Sequence, residues 1–389
     1  MNVLITGASG FLGSAVLARV ARDKNYDKIY VLLRPSGRQS PATRLRELVG
    51  KIFPPEQVED TLKKLQAVPG DLTLPHLGLT ARDRWELVGC LNQILHVGAS
   101  TDFGAPLDES RKYNVEGTRY ALELGAACAR SGQFRRFDYI STAFVAGDKG
   151  GTVYEDTLNR EQPFANNYER SKFEAELLVR DYMSQMRITI YRPSIVVGDS
   201  QNGYTPHFKV LYWPLKLLAK NLLPFVPCGV RVRLDVVPVD FVADSIVALM
   251  RDPDAIGRTF HLTAGVGNEI TVRGLLKDAA VHAGIKAKPL MPFWLFRLIR
   301  NSPLKRAYPD EVWTALELAA PYSAYLRGTD VRFDARATHE VLLTRHGIRA
   351  PMWRNYAPQV LGFCRDSRWG KRLGAPEHAY FANARAVNS

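Results

Sequence analysis

At 389 residues, 46% of them hydrophobic and 23% charged, the chain has the make-up of a folded globular protein with room for an appended lobe; a disordered or fibrous chain is excluded. The net charge is +13, and residues 291–389 carry fifteen Lys/Arg against eight Asp/Glu; no nucleic-acid motif accompanies this charge, so nucleic acid is not an expected partner. Cys90, Cys128, Cys228 and Cys364 form no C-x-x-C pair or His/Cys cluster, so no metal site is expected and the thiols are expected reduced, as in a cytoplasmic protein.

In chain order, Asn2–Thr6 (NVLIT) is expected as a short buried strand. It starts too early to leave room for a basic leader, so no signal peptide is expected. The turn Gly7-Ala8-Ser9-Gly10-Phe11-Leu12-Gly13 follows, then a helical pattern through Ala15, Val16, Leu17 and Val20. A strand, a glycine turn and a helix in that order form a phosphate cradle. The glycines admit a pyrophosphate to the backbone, and the helix N-terminus offers unbonded N–H groups. Gly7, Ser9, Gly10, Phe11, Leu12 and Gly13 are therefore candidate nucleotide contacts.

The second strand, Lys28–Leu33, ends at Arg34, where an NAD-binding chain carries an acidic residue for the ribose hydroxyl. An arginine there suits a 2′-phosphate instead. Arg38, Arg44 and Arg46 follow, and the cofactor indicated is NADPH. After the third strand, Leu65–Val68, comes Gly70-Asp71-Leu72, with Asp71 a candidate acceptor for the adenine amino group. Gln93–Val97 and Phe137–Ser141 are the fourth and fifth strands. Ser141 and Thr142 at the end of the fifth each offer a hydroxyl to polarise a carbonyl. On a strand they point to opposite faces, so only one of them serves.

Tyr168 and Lys172 stand four apart in a helical run, Tyr168–Met183, and so share one helix face. An ammonium beside a phenol favours the phenolate and draws its pKa down from about 10. Ile188–Tyr191 is the sixth strand. Strands alternating with helices predict an α/β fold with a doubly wound parallel sheet. Beyond residue 198 the pattern loosens. Tyr212–Pro227 and Pro289–Tyr308 suggest a smaller, mainly helical lobe, while Val236–Met250 reads as a strand and helix returning to the sheet. The expected division is 1–198 with 236–265 as the nucleotide-binding domain, 199–235 and 266–370 as the substrate lobe, and 371–389 as a disordered tail. No uncharged apolar run of 18 residues occurs, so no membrane span is expected.

TGASGFLG, HVGASTDF, NVEGT, STAFVAG, YERSK and YRPSIVVG, in this order over residues 1–265, resemble the extended short-chain dehydrogenase/reductases. The resemblance implies a Rossmann domain and a Thr142/Tyr168/Lys172 triad. In it the tyrosine transfers the proton, the lysine also holds the nicotinamide ribose, and the threonine orients the carbonyl. Asn114 is the nearest match to an asparagine that supports a proton relay. Within the superfamily, VLLRP, a long connection with RLREL, and GDLT look like the fatty acyl-CoA reductase and thioester reductase branch. There two arginines ten apart, here Arg34 and Arg44, contact the 2′-phosphate. That resemblance further implies Leu72, Gly98, Ala99, Ser100 and Pro193 along the cofactor. His96 is expected to pack, Gly98 stands where alanine is usual, and Arg332-Phe333-Asp334 resembles a C-terminal motif of the branch.

The chemistry so implied is NADPH reduction of an acyl thioester, carried by coenzyme A or an acyl carrier protein, to an aldehyde or on to an alcohol. Two alternatives stand beside it: reduction or oxidation of a free ketone or alcohol such as a 3β-hydroxysteroid, and a non-catalytic NADP-binding regulator. Leu211–Leu223 and Phe293–Ile299 are candidates for an acyl tunnel or for core. Phe293–Arg300 with Lys305 and Arg306 also has the make-up of a peripheral membrane contact.

Overall fold

The computed structural model describes residues 1–372 apart from Arg38, Lys149, Arg160, Glu161, Lys209, Val230, Arg231 and residues 327–329, and apart from the side chains of Pro321 and Ala324. Arg38 and the expected tail from residue 373 onward lie outside the described residues.

Seven parallel strands form the central sheet: β1 (Asn2–Thr6), β2 (Lys28–Leu33), β3 (Leu65–Pro69), β4 (Gln93–His96), β5 (Arg136–Ile140), β6 (Ile188–Pro193) and β7 (Thr259–Leu262). Their order is β7-β6-β5-β4-β1-β2-β3. The strand order reverses between β1 and β4, and the C-terminal ends of these two strands open the crevice where ligands bind in such sheets. Val3, Leu4 and Ile5 are all wholly buried, as befits a strand covered on both faces.

Alternation along β1 separates the two layers. Val3 and Ile5 pack into a cluster with Val16 and Val20 of α1 (Phe11–Arg22) and with Val242, Ile246 and Leu249 of a later helix, Val239–Arg251. Leu4 enters the opposite cluster with Ile94, Leu122, Phe137, Tyr139 and Val179. The Val239–Arg251 helix is tied to α1 and its C-cap by the Arg19–Asp244 ion pair and by Arg251 Nε to Asp23 Oδ2 at 2.6 Å.

A third cluster builds the lobe around Leu215, Leu218, Leu223, Leu275, Ala279, Val360 and Leu361. One helix late in the chain packs on the sheet domain rather than on this cluster. The helix Arg336–His346, expected in the lobe, packs on Val239–Arg251 and places Leu342 in the α1 cluster. The reason is local: Val331–Phe333 pairs with Gly151–Val153 and carries the chain back to the sheet domain. Among the described residues no helix is long and apolar enough to cross a membrane.

Candidate functional site

A cavity of about 530 Å³ runs over the C-terminal edge of the sheet, from the turn after β1 to the helix carrying Tyr168. Its floor is the glycine turn. Gly7 has φ +71°, and a Cβ there would fall 2.5 Å from Gly98 Cα; a Cβ on Gly13 would fall 2.1 Å from the Gly7 carbonyl oxygen. Only a side-chain-free backbone allows the β1 turn, the start of α1 and the β4 turn to meet this closely. Gly10 N donates to Gly7 O at 3.0 Å, and Ser14 N closes on Gly10 O at 2.8 Å. The N–H groups of Phe11, Leu12 and Gly13 precede the first intrahelical bond and remain for an anion.

Past β2, Ser40 caps the helix α2 (Pro41–Ile52) by accepting from Thr43 N at 3.1 Å, and this turn returns Arg44 to the strand end. Arg44 Nη1 donates to the Arg34 carbonyl, and Arg34 Nη1 lies 3.9 Å from Asp71 Oδ2. Arg34, Arg44, Asp71 and Leu72 all line one end of the cavity. Asp71 Oδ1 also accepts from Thr73 N and Oγ1, each at 2.9 Å. Leu72 fills the space beside Gly98, where its Cδ1 would lie 2.4 Å from an added Cβ.

At the other end stand Thr142, Tyr168, Lys172 and Pro193. α3 (Asn167–Asp181) starts under an Asn166 cap, whose Oδ1 accepts from Glu169 N at 2.9 Å, and presents Tyr168 and Lys172 on its sheet-facing side. Burial pushes the Tyr168 phenol up to about 12, against the opposing influence of the neighbouring Thr142 hydroxyl. Lys172 is buried, and Nζ donates to Tyr139 OH at 2.8 Å and Ile140 O at 2.7 Å. Burial draws its ammonium down to about 7, against the opposing charge of Glu176. The structure thus corrects the expectation that Lys172 depresses the Tyr168 phenol. The ammonium is turned to β5, and burial governs the phenol.

Ser141 and Thr142 both line the cavity, with their hydroxyls differently engaged. Ser141 Oγ donates to Glu176 Oε2 at 2.6 Å, whereas Thr142 faces the phenol and donates to Pro193 O at 3.4 Å. Two further expected cofactor contacts, Ser100 and Asn114, pair with each other beside the cavity. Ala99 lines the cavity, but Ser100 and Asn114 do not. Asn114, in a π-helical turn at Lys112–Glu116, accepts from Ser100 N at 2.7 Å and donates to Ser100 O at 3.1 Å and Ser171 Oγ at 2.9 Å. It clamps the β4 loop to α3. His96 packs, held between Thr6 Oγ1 at 2.8 Å and Thr118 Oγ1 at 3.2 Å, with burial lowering it to about 3.

The cradle, its free N–H groups and the two guanidinium groups fit an anionic dinucleotide with its phosphates over Gly7–Gly13. The model of an NAD-binding family described as male sterility protein matches residues 5–246. The chain belongs to that family. Its relatives agree with the extended short-chain dehydrogenase/reductase motifs. A putative fatty acyl-CoA reductase of Drosophila melanogaster is 27% identical over 286 residues, covering 63% of this chain and 54% of that protein. A nonribosomal peptide synthetase of Aspergillus flavus is 28% identical over 284 residues, covering 69% and 27%. The chain spans about half the length of such curated relatives, or less. Among solved structures, the terminal R domain of the myxalamid PKS-NRPS pathway superposes with a TM-score of 0.76 at 24% identity, covering 96% of this chain and 92% of that one, which shows a common fold.

In this male sterility family member the sequence missed an aromatic wall. Phe103 packs on Tyr168 with ring centroids 5.2 Å apart, and Phe144 on Tyr325 at 5.0 Å. Tyr325 OH accepts from Asn166 Nδ2 at 3.1 Å and stands near Glu169, a carboxyl that burial pushes up to about 7. Glu169 stands beside Tyr168 and was open to notice. Tyr325, 159 residues beyond Asn166 in an irregular helical stretch, carries no periodic signal. The stretches expected as an acyl tunnel divide: Tyr212 lines this cavity, whereas Pro214, Leu218, Leu223, Phe293 and Phe296 line a second one.

Proposed function

We propose that the protein is an NADPH-dependent oxidoreductase that reduces an acyl thioester, presented on coenzyme A or an acyl carrier protein, to an aldehyde. The observation that carries this reading is that one cavity joins the Gly7–Gly13 cradle and the Arg34/Arg44 pair to Thr142, Tyr168 and Lys172. The names of the relatives, fatty acyl-CoA reductases and peptide-synthetase reductase domains among them, support a thioester over a free ketone.

Arg34 and Arg44 would grip a 2′-phosphate, and the N–H groups of Phe11, Leu12 and Gly13 the pyrophosphate. When bound, NADPH supplies hydride to the carbonyl carbon. Thr142 and Tyr168 hydrogen-bond the carbonyl oxygen as its charge develops, and Tyr168 gives it a proton. A phenol held up at about 12 is in its protonated form at neutral pH, as a donor must be. Lys172 is the candidate to hold the nicotinamide ribose. The hemithioacetal then loses its C–S bond, the thiol leaves with a proton, and aldehyde remains. A second hydride gives the alcohol where the aldehyde is retained.

The test is product analysis with NADPH and a panel of acyl-CoA and acyl-carrier substrates. Aldehyde or alcohol with matching NADPH consumption is expected. Turnover of free hydroxysteroids or ketones alone, with no thioester consumed, overturns the reading.

A further inference from the structure

The second cavity, about 600 Å³, lies in the lobe and shares no lining residue with the first. The segment Ala320–Leu326 separates them: Tyr325 lines the first, while Ser323 and Leu326 line the second. Its volume is within the ~300–1,000 Å³ typical of small-molecule sites. Leu218, Leu223, Val226, Phe296, Trp313 and Leu316 make its walls apolar.

Charge enters from one side. Arg297 and Arg300 on the helix Phe293–Arg300, and Lys305 on the next turn, line the same cavity, with Glu317 the acidic residue among its lining. None of the three cations forms an ion pair with a described residue; Lys305 Nζ instead lies 5.6 Å over the Trp313 ring. These exposed cations outnumber Glu317 beside apolar walls, an arrangement that does not match a neutral acyl tail. They match a molecule with an apolar tail and an anionic head, since burial of the tail and a charge-assisted fork on the head then act together.

We propose that this cavity binds a long-chain carboxylate, with the tail between Leu218 and Trp313 and the head on Arg297 and Arg300. The site is distinct from the reductive one, and the proposal stands independently of the function argued above.

Isothermal titration of the full chain with dodecanoate, dodecanol, acetate and free coenzyme A, without NADPH or thioester, tests it. Dodecanoate is expected to saturate a single site. Dodecanol, and dodecanoate with the Arg297→Ala/Arg300→Ala variant, should bind roughly tenfold weaker or worse. Ala319→Phe, which fills the cavity and leaves the cations, should also lose binding; thermal melts establish that each variant is folded. Absence of saturable dodecanoate binding overturns the proposal. So does equal affinity for dodecanol or coenzyme A, or undiminished binding in either folded variant. Reductase activity does not enter any readout, so failure here leaves the thioester reading untouched.

Discussion

Lys172 is bonded to Tyr139, Nζ to hydroxyl at 2.8 Å, and thereby to β5 rather than to the phenol four residues before it on its own helix. Thr142 and Tyr168 line the same end of the cavity. Thr142 and Tyr168 thus stand at the cavity wall beside an amine anchored to β5.

Tyr168→Phe removes the phenol hydroxyl and keeps the ring against Phe103. Proton donation by a positioned side chain contributes about 10²–10⁴-fold, so kcat should fall by that order while NADPH affinity changes little. Stopped-flow NADPH oxidation and cofactor titration on the same protein measure both. A variant with unaltered kcat would remove Tyr168 from the chemistry and favour a cofactor-binding regulator.

Arg34→Ser combined with Arg44→Ala should move cofactor preference toward NADH. Hydrogen bonds to a charged group contribute about 1.5–3 kcal/mol each, which makes a loss of tenfold or more in kcat/KM for NADPH the minimum expected. Efficiency with NADH should change far less. Arg44 also donates to the Arg34 carbonyl, so Arg44→Ala alone should cost more than loss of a single phosphate contact. The ratio of kcat/KM values for the two cofactors is the measurement.

Much of this was legible in the chain because it is local. The β1 strand, the glycine turn and α1 form a contiguous motif, and β1 and β2 fall on the residues expected. Arg34 and Arg44 are tied through one capped turn, Ser40–Thr43, that the sequence spells out. What stayed hidden depends on direction or on distance along the chain. Spacing put Tyr168 and Lys172 on one face but could not say that Lys172 reaches past it to Tyr139. That Ser141 gives its hydroxyl to Glu176, 35 residues on, could not be read from spacing either. Tyr325, and the return of Arg336–His346 to the sheet domain, are products of packing between segments with no shared period.

Glu176 sits wholly buried under that serine. Its carboxylate receives Arg192 Nη2 at 2.6 Å, Arg192 Nε at 3.1 Å and Arg180 Nη2 at 3.0 Å. Burial alone would raise the carboxyl, but the two arginines and Ser141 outweigh it and hold it below its ordinary 4.5. Glu176→Gln leaves the fully buried Arg192 guanidinium without its counter-charge, and should destabilise by about 3–5 kcal/mol in urea unfolding. In the parent protein the contribution is present above pH 4.5 and is lost as pH falls below it, so the acid side of the stability profile should flatten in the variant.

Lys172 gives the opposite pH signature. Its folded pKa, about 7, lies below the ordinary 10.5 because the charged form is deprived of water. Below pH 7 folded and unfolded chains both carry the proton, and the folded state bears the full cost of a buried charge. Between pH 7 and 10.5 the unfolded chain binds a proton that the folded chain does not, so stability from this residue rises with pH; above 10.5 the difference vanishes. Lys172→Met removes the charge and keeps a chain of similar reach, at the constant loss of the hydrogen bonds to Tyr139 and Ile140. Its Tm relative to the parent should therefore be highest below pH 7 and decline steadily toward pH 10, while NADPH-dependent turnover is lost throughout. Thermal melts of the two proteins across that range decide the matter: a Tm difference that is flat, or that grows in the variant's favour with pH, would mean that the amine is not a buried, suppressed base.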